Sequence, residues 1–243
     1  DFKLTLNAGN VFFEGNCITY SFFEKGKISK MRHGDTTINP EIKSHAYKTH
    51  FIESNLDYIS IGKSLNSNFY NFFIGNDSSK WATNVRSYNR IEYSNIYDSI
   101  DIAFYRKNEH LKYDFIAKPG SNPSKIKLFY EGMDNVSLSN GHLLIKTSLG
   151  NVIEQSPYAY QINNGKEIKV KCNYSLHQDT LSYDFPDGYD LSKTLIIDPP
   201  ILIFSTYTGS SADNWGFTAT YDDLGNMYVG GIVFDIGYPV TLG

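Results

Sequence analysis

Trp81, Tyr88, Tyr93 and Tyr97 bring large aromatic rings into one loop-rich stretch of the chain. Their faces could stack on sugar rings, which makes them a candidate ligand-binding surface. The same rings could instead fill a β core or pack across neighbouring strands. Cys17 and Cys172 are the two cysteines, and their spacing fits neither a zinc nor a redox motif. Two readings are open to them: a pair of buried thiols, or one disulfide closing a long loop in an oxidising compartment. His45 and His50 are near neighbours, but an odd spacing on a strand sends side chains to opposite faces, so they make a poor metal pair. His33, His110, His142 and His177 stand alone.

Other chemistries find less support. Asp222, Asp223, Gly225 and Asn226 could offer oxygens to calcium. A full calcium site needs about six to eight ligands, so a turn is the simpler reading. "YTGSSAD" is Gly/Ser-rich and reads as a turn, because no G-x-S-x-G nucleophile elbow occurs. "YVGGI" lacks the following helix that a phosphate loop requires. No two acids stand out as the flanking carboxylates of a glycosidase. The residues point to no enzymatic reaction, no metal and no cofactor.

The elements that must position these groups are strands. The chain has 243 residues, 19 of them Tyr and 16 Phe, a composition suited to pleated, half-buried surfaces. Turn dipeptides recur at Asn140-Gly141, Asn164-Gly165 and Asp187-Gly188, and Glu14-Gly15-Asn16 and Asn108-Glu109 each join two strand patterns. No segment carries a sustained helical period; one turn of helix is expected at Ser78 to Trp81. The formal charge of −4, with scattered Lys and Arg, argues against nucleic acid and against an anionic membrane surface. No apolar run approaches the ~20 residues of a membrane span. "DFKLTLNAGN" opens directly on a strand pattern, so an exported protein would be met here in processed form. The expected fold is all-β: a β-sandwich-like module over residues 1–199, then the start of a β-propeller-type repeat over 200–243. The rigid Pro199-Pro200 pair marks the seam.

Longer motifs add a family resemblance. "FFIGNDSSKWATNV" (Phe72 to Val85), "NIYDSIDIAFY" (Asn95 to Tyr105) and "LKYDFIAKPGSNPSKI" (Leu111 to Ile126) resemble the N-terminal domain of large secreted Bacteroidota proteins. "NAGNVFFEGNCITYSF", "KSHAYKTHF" and "IEQSPYAYQINNGKEIKVKCNY" are similar to further strands of that domain, so the likeness covers nearly the whole chain. "LIIDPPILIFSTYTGSSADNWGFTATYDDLGNMYVGG" resembles its junction with an SBBP-type β-propeller repeat. The resemblance implies a large multidomain secreted or cell-surface protein of the gliding-motility-associated, type IX secretion cargo kind, and it implies no named activity for this domain.

The resemblance implies an extracellular or cell-surface location and a role in adhesion, gliding or surface assembly. It also implies transient contact with the secretion machinery or other outer-membrane proteins, without membrane insertion. A lone propeller unit cannot bury its own faces, so further repeats are expected beyond Gly243. Asp77, Trp81 and Asn84 are expected to hold the "GNDSSKW" loop, Asp77 as a side-chain cap. "DTT" (Asp35 to Thr37), "DSI" (Asp98 to Ile100) and "DTL" (Asp179 to Leu181) resemble short sites at which Bacteroidota glycosylate hydroxyls. Two rival readings remain: a secreted carbohydrate-binding or carbohydrate-processing protein, and a passenger or partner within a larger complex.

Overall fold

The computed structural model describes residues 2–6, 9–24, 41–107, 110–199, 201–202, 214–221 and 227–233. Along the chain, β1 (Phe2–Leu6), β2 (Gly9–Glu14), β3 (Cys17–Phe23) and β4 (Ser44–Phe51) form an antiparallel meander. β5 (Ile59–Phe72) and β6 (Ala82–Tyr97) make a long hairpin, continued by β7 (Ile100–Lys107) and β8 (His110–Ala117). β9 (Leu128–Glu131) returns to pair with β4. β10 (Asn135–Ser139), β11 (His142–Thr147) and β12 (Gly150–Glu154) form a second meander. Two hairpins follow: β13 (Tyr158–Asn163) with β14 (Lys166–Val170), and β15 (Asn173–His177) with β16 (Thr180–Asp184). β17 (Leu195–Asp198) inserts between β13 and β8, and β18 (Ile201–Leu202) pairs with β12.

The fold is all-β: strand dominates the described residues, and helix among them is confined to short 3-10 turns. One seven-stranded sheet runs β1-β2-β3-β4-β9-β16-β15, and another runs β14-β13-β17-β8-β7-β6-β5. A four-stranded sheet, β10-β11-β12-β18, completes the unit, and none of the sheets closes into a barrel. The chain divides into two compact units, residues 1–203 and 204–243. In the second, β19 (Asn214–Tyr221) and β20 (Met227–Val233) form an antiparallel pair.

Local sequence explains these elements. β8 alternates buried and half-buried residues from Leu111 to Ala117, the period of a strand with one face on a core. Asn140 and Gly141 both take positive φ (50° and 79°), as a two-residue hairpin with the right twist requires. The helical turn near Ser78 is a 3-10 turn, Ser78–Lys80, capped by the Asp77 side chain, which accepts from the Ser79 N–H.

The two large sheets face each other through aromatic residues. Phe13 on β2 meets Phe104 on β7 edge-to-face at 4.9 Å, and Phe115 on β8 meets Tyr183 on β16 at 5.9 Å. Such pairs add to the area they bury, by about 0.5–1.5 kcal/mol each. The Tyr97 hydroxyl donates to the Lys127 carbonyl at 2.8 Å, and the Lys127 N–H donates back to it at 3.2 Å.

Glu154, at the end of β12, is buried where the three sheets converge. The Tyr113 hydroxyl donates to its Oε2 at 3.0 Å. Burial pushes the Glu154 carboxyl up to about 7. A cavity of about 10 Å³ beside it, bordered by Tyr20, Phe104 and Tyr130, has room for no more than one water.

Candidate functional site

β5 has almost no buried position along its 14 residues. β6 joins β7 only from Arg90 onward, so beyond the Lys63–Arg90 pair the hairpin is, among the described residues, a two-stranded arm. Its register slips between Leu65 and Phe69 and again between Tyr70 and Phe72, and Ser64 and Asn84 take positive φ (53° and 54°). Amides and hydroxyls support the backbone where the ladder breaks. Asn71 Oδ1 accepts from the Asn84 N–H at 2.9 Å, Asn66 donates to Asn89 at 2.9 Å, and Ser87 donates to the Asn68 carbonyl at 3.3 Å.

The tip is a small closed unit. Asp77 Oδ1 accepts from the Ser79 N–H at 3.1 Å and from its hydroxyl at 2.7 Å, and these bonds hold the Asp77 carboxyl below its usual range. Trp81 Nε1 donates to the Gly75 carbonyl at 3.1 Å, and its ring meets Phe73 edge-on at 5.3 Å. The "GNDSSKW" words thus encode a capped turn.

The apolar surface of the arm faces solvent. Leu65, Phe69, Tyr70 and Phe72 are all exposed, and Ile74 is 75 % exposed. Tyr70 and Phe72 present two nearly parallel rings, 6.3 Å apart at 25°. Apolar residues fall on both parities of "NFYNFFI", so a period of two leaves neither face of the ribbon polar.

The sequence-derived aromatic set is divided by this geometry. Trp81 and Tyr88 lie on the arm, 43 % and 38 % exposed, but neither is a free platform. Trp81 is turned edge-on to Phe73. Tyr88 lies against Gly62, where an added Cβ would come within 2.5 Å of the ring, and meets Phe2 edge-on at 6.0 Å. Tyr93 and Tyr97 leave the set altogether. They are 1 % and 2 % exposed because β6 enters the sandwich at that point, Tyr93 stacking on Tyr58 at 4.9 Å and Tyr97 bonding to Lys127. The coplanar pair is Tyr70 and Phe72 instead. Their signal was legible only as large apolar residues alternating with Asn and Ser.

Cys17 and Cys172 are separate, buried, free thiols, so no disulfide joins them. Cys17 opens β3 and Cys172 lies between β14 and β15, each packed in its own surroundings. Burial raises both, Cys172 to about 12, which leaves little thiolate for chemistry. His45 Nδ1 accepts from the Ser148 N–H at 3.2 Å, whereas His50 Nε2 lies 2.8 Å from Glu131. Among the described residues no cluster of three His, Cys, Asp or Glu could hold a metal. Ser99 is exposed in the β6–β7 turn, and Thr180 is half-buried at the start of β16. His33, Thr37, the Asn108-Glu109 turn, "YTGSSAD" and the Asp222–Asn226 loop lie outside the described residues.

Two further places gather polar and charged groups. Burial and neighbouring Asp198 push Asp114 up to about 6, but the surrounding groups are engaged with one another. Tyr105 donates to Asp114 at 3.1 Å, Lys112 pairs with Asp198, and Arg90 bonds Glu92 at 2.7 Å. The other is an open cleft of about 570 Å³ beside β13 and β14. Its charges are also mutually engaged: Lys193 meets Asp190 at 3.0 Å, and Gln161 fastens Asp190 by its backbone. Among the described residues, the arm is the feature whose apolar surface is left largely exposed.

A family model described as a domain of unknown function, DUF7948, matches residues 1–200. No curated protein and no solved structure matches the chain.

Proposed function

The chain belongs to the DUF7948 family of unknown function, and we propose that it is a non-catalytic docking module whose contact element is the β5–β6 arm. The exposed apolar surface on both faces of that arm carries this reading. Proteins seldom leave contiguous apolar patches larger than a few hundred Å² on a free surface, and such patches mark interaction sites. The resemblance to large exported Bacteroidota proteins supplies the setting: the N-terminal module of a cell-surface protein in adhesion, gliding or surface assembly, exported as type IX secretion cargo. The start of a propeller repeat after the first unit belongs to the same proposal. In it, the arm meets outer-membrane or secretion proteins.

A second reading rests on Tyr70 and Phe72. Two exposed, nearly parallel rings flanked by Asn and Ser amides and hydroxyls also suit a glycan chain.

Fractionation of native cells with an antibody against this chain tests the first reading. The antigen is expected on the outer surface or in the medium, on a product well above 27.6 kDa, and bound to an outer-membrane protein partner. An antigen confined to the cytoplasm would sink it. Retention on surface polysaccharide, lost on Tyr70→Ala, would favour the second reading.

A further inference from the structure

We infer that Glu154 anchors a binding site for one internal water molecule, and that this water ties the three sheets together. The inference stands apart from the arm and from the docking reading. The small cavity beside Glu154 is walled by five strands from three sheets. Glu154 comes from β12 of the four-stranded sheet. Tyr20, Thr49 and Tyr130 come from β3, β4 and β9 of one large sheet, and Tyr113 comes from β8 of the other. All five residues are buried, and each carries an oxygen that can enter a hydrogen bond. The rest of the wall is apolar.

Size and chemistry select the same occupant. A cavity of about 10 Å³ is at the lower limit for one water and too small for anything larger. Cavities that stay dry are apolar, whereas an internal water needs about two to four polar partners. Burial favours the protonated Glu154 carboxyl, which then has one hydrogen bond to donate besides those it accepts. Tyr113 already donates to Oε2. The Tyr174 hydroxyl lies close enough to favour the Glu154 charge, yet short of hydrogen-bond geometry. The Tyr183 hydroxyl of the same cluster is likewise buried without a partner. Direct side-chain contacts therefore leave this polar cluster under-satisfied, which is uncommon for buried groups. A water that accepts from the carboxyl and donates to Tyr20, Thr49 or Tyr130 supplies the missing bonds and links β12 to the large sheet. A cation is the poorer occupant. It would exchange its hydration shell for a partly apolar wall and a carboxyl that burial keeps neutral.

A crystal structure of the full chain, at a resolution that orders internal waters, tests this. The expected density is a single water within hydrogen-bond distance of Glu154 and of hydroxyls from Tyr20, Thr49, Tyr113 or Tyr130. A cavity without density overturns the inference, and so does an ion that rubidium replaces with an anomalous signal. Magnetic relaxation dispersion of the solvent counts long-lived internal waters in solution. Thr49→Ile, which fills the cavity with a methyl group in place of the hydroxyl, is expected to lower that count by one. An unchanged count in the folded variant also overturns the inference. If Thr49→Ile does not fold, the crystal density of the wild-type chain decides by itself.

Discussion

Glu154→Gln is expected to stabilise the first unit by about 3 kcal/mol at mildly alkaline pH and to flatten its stability between roughly pH 4.5 and 7. The carboxyl rises from 4.5 to about 7 in the fold, chiefly because burial penalises its charged form. Each pKa unit is worth about 1.4 kcal/mol. The groups packed around it are Tyr113 from β8, Tyr20 and Tyr47 from β3 and β4, Tyr130 from β9, and Tyr174 and Tyr183 from β15 and β16. All are neutral phenols with raised pKa values and no cation is among them, so the hydrogen bond from Tyr113 offsets only part of the cost of burying the charge.

The direction of the pH effect follows from where the proton is held more tightly. Below about 4.5 the carboxyl is protonated in both states, and its full contribution to stability is present. Between about 4.5 and 7 the unfolded chain has lost the proton and the fold has kept it, so stability falls as pH rises. Gln keeps the shape and the acceptor for Tyr113 but cannot ionise. Asp114, raised from 3.8 to about 6, adds a loss of the same sign and nearly the same size that the variant retains, so the flattening is clearest between about pH 6 and 7. Urea melts of both proteins across this range check the result; parallel profiles would refute it.

Phe104→Ala is expected to cost about 3–5 kcal/mol. The ring is 1 % exposed and lies within 4.9 Å of Phe13, 5.5 Å of Tyr93 and 6.2 Å of Tyr113, centroid to centroid. Removing it uncouples the two large sheets at their centre and opens the void onto the small cavity beside Glu154. Against a typical stability of about 5–15 kcal/mol, this is a large fraction of the whole. A shift of the urea midpoint at constant slope measures it, and a loss below about 1 kcal/mol would show that the neighbours collapse into the space.

Much of the strand pattern was present in the residues themselves. Turn chemistry at Asn140-Gly141 and Asn164-Gly165, with period-two alternation in segments such as Leu111 to Ala117, is local and needs no knowledge of the rest of the chain. The Asp77 cap is local too, since a short carboxylate bonds N–H groups two residues on. The aromatic set was the opposite case. Trp81, Tyr88, Tyr93 and Tyr97 look alike in sequence, and only the point at which β7 joins β6 separates the arm residues from the core residues.

The sequence by itself determined the all-β class and the principal hairpins, because strand period and turn preference act over a few residues. Tertiary structure alone decided that Glu154 is buried among tyrosines from several strands, that Cys17 and Cys172 stay apart, and that Tyr70 and Phe72 face water. Each of these depends on which distant strands come together, and burial is a property of that assembly rather than of the residue.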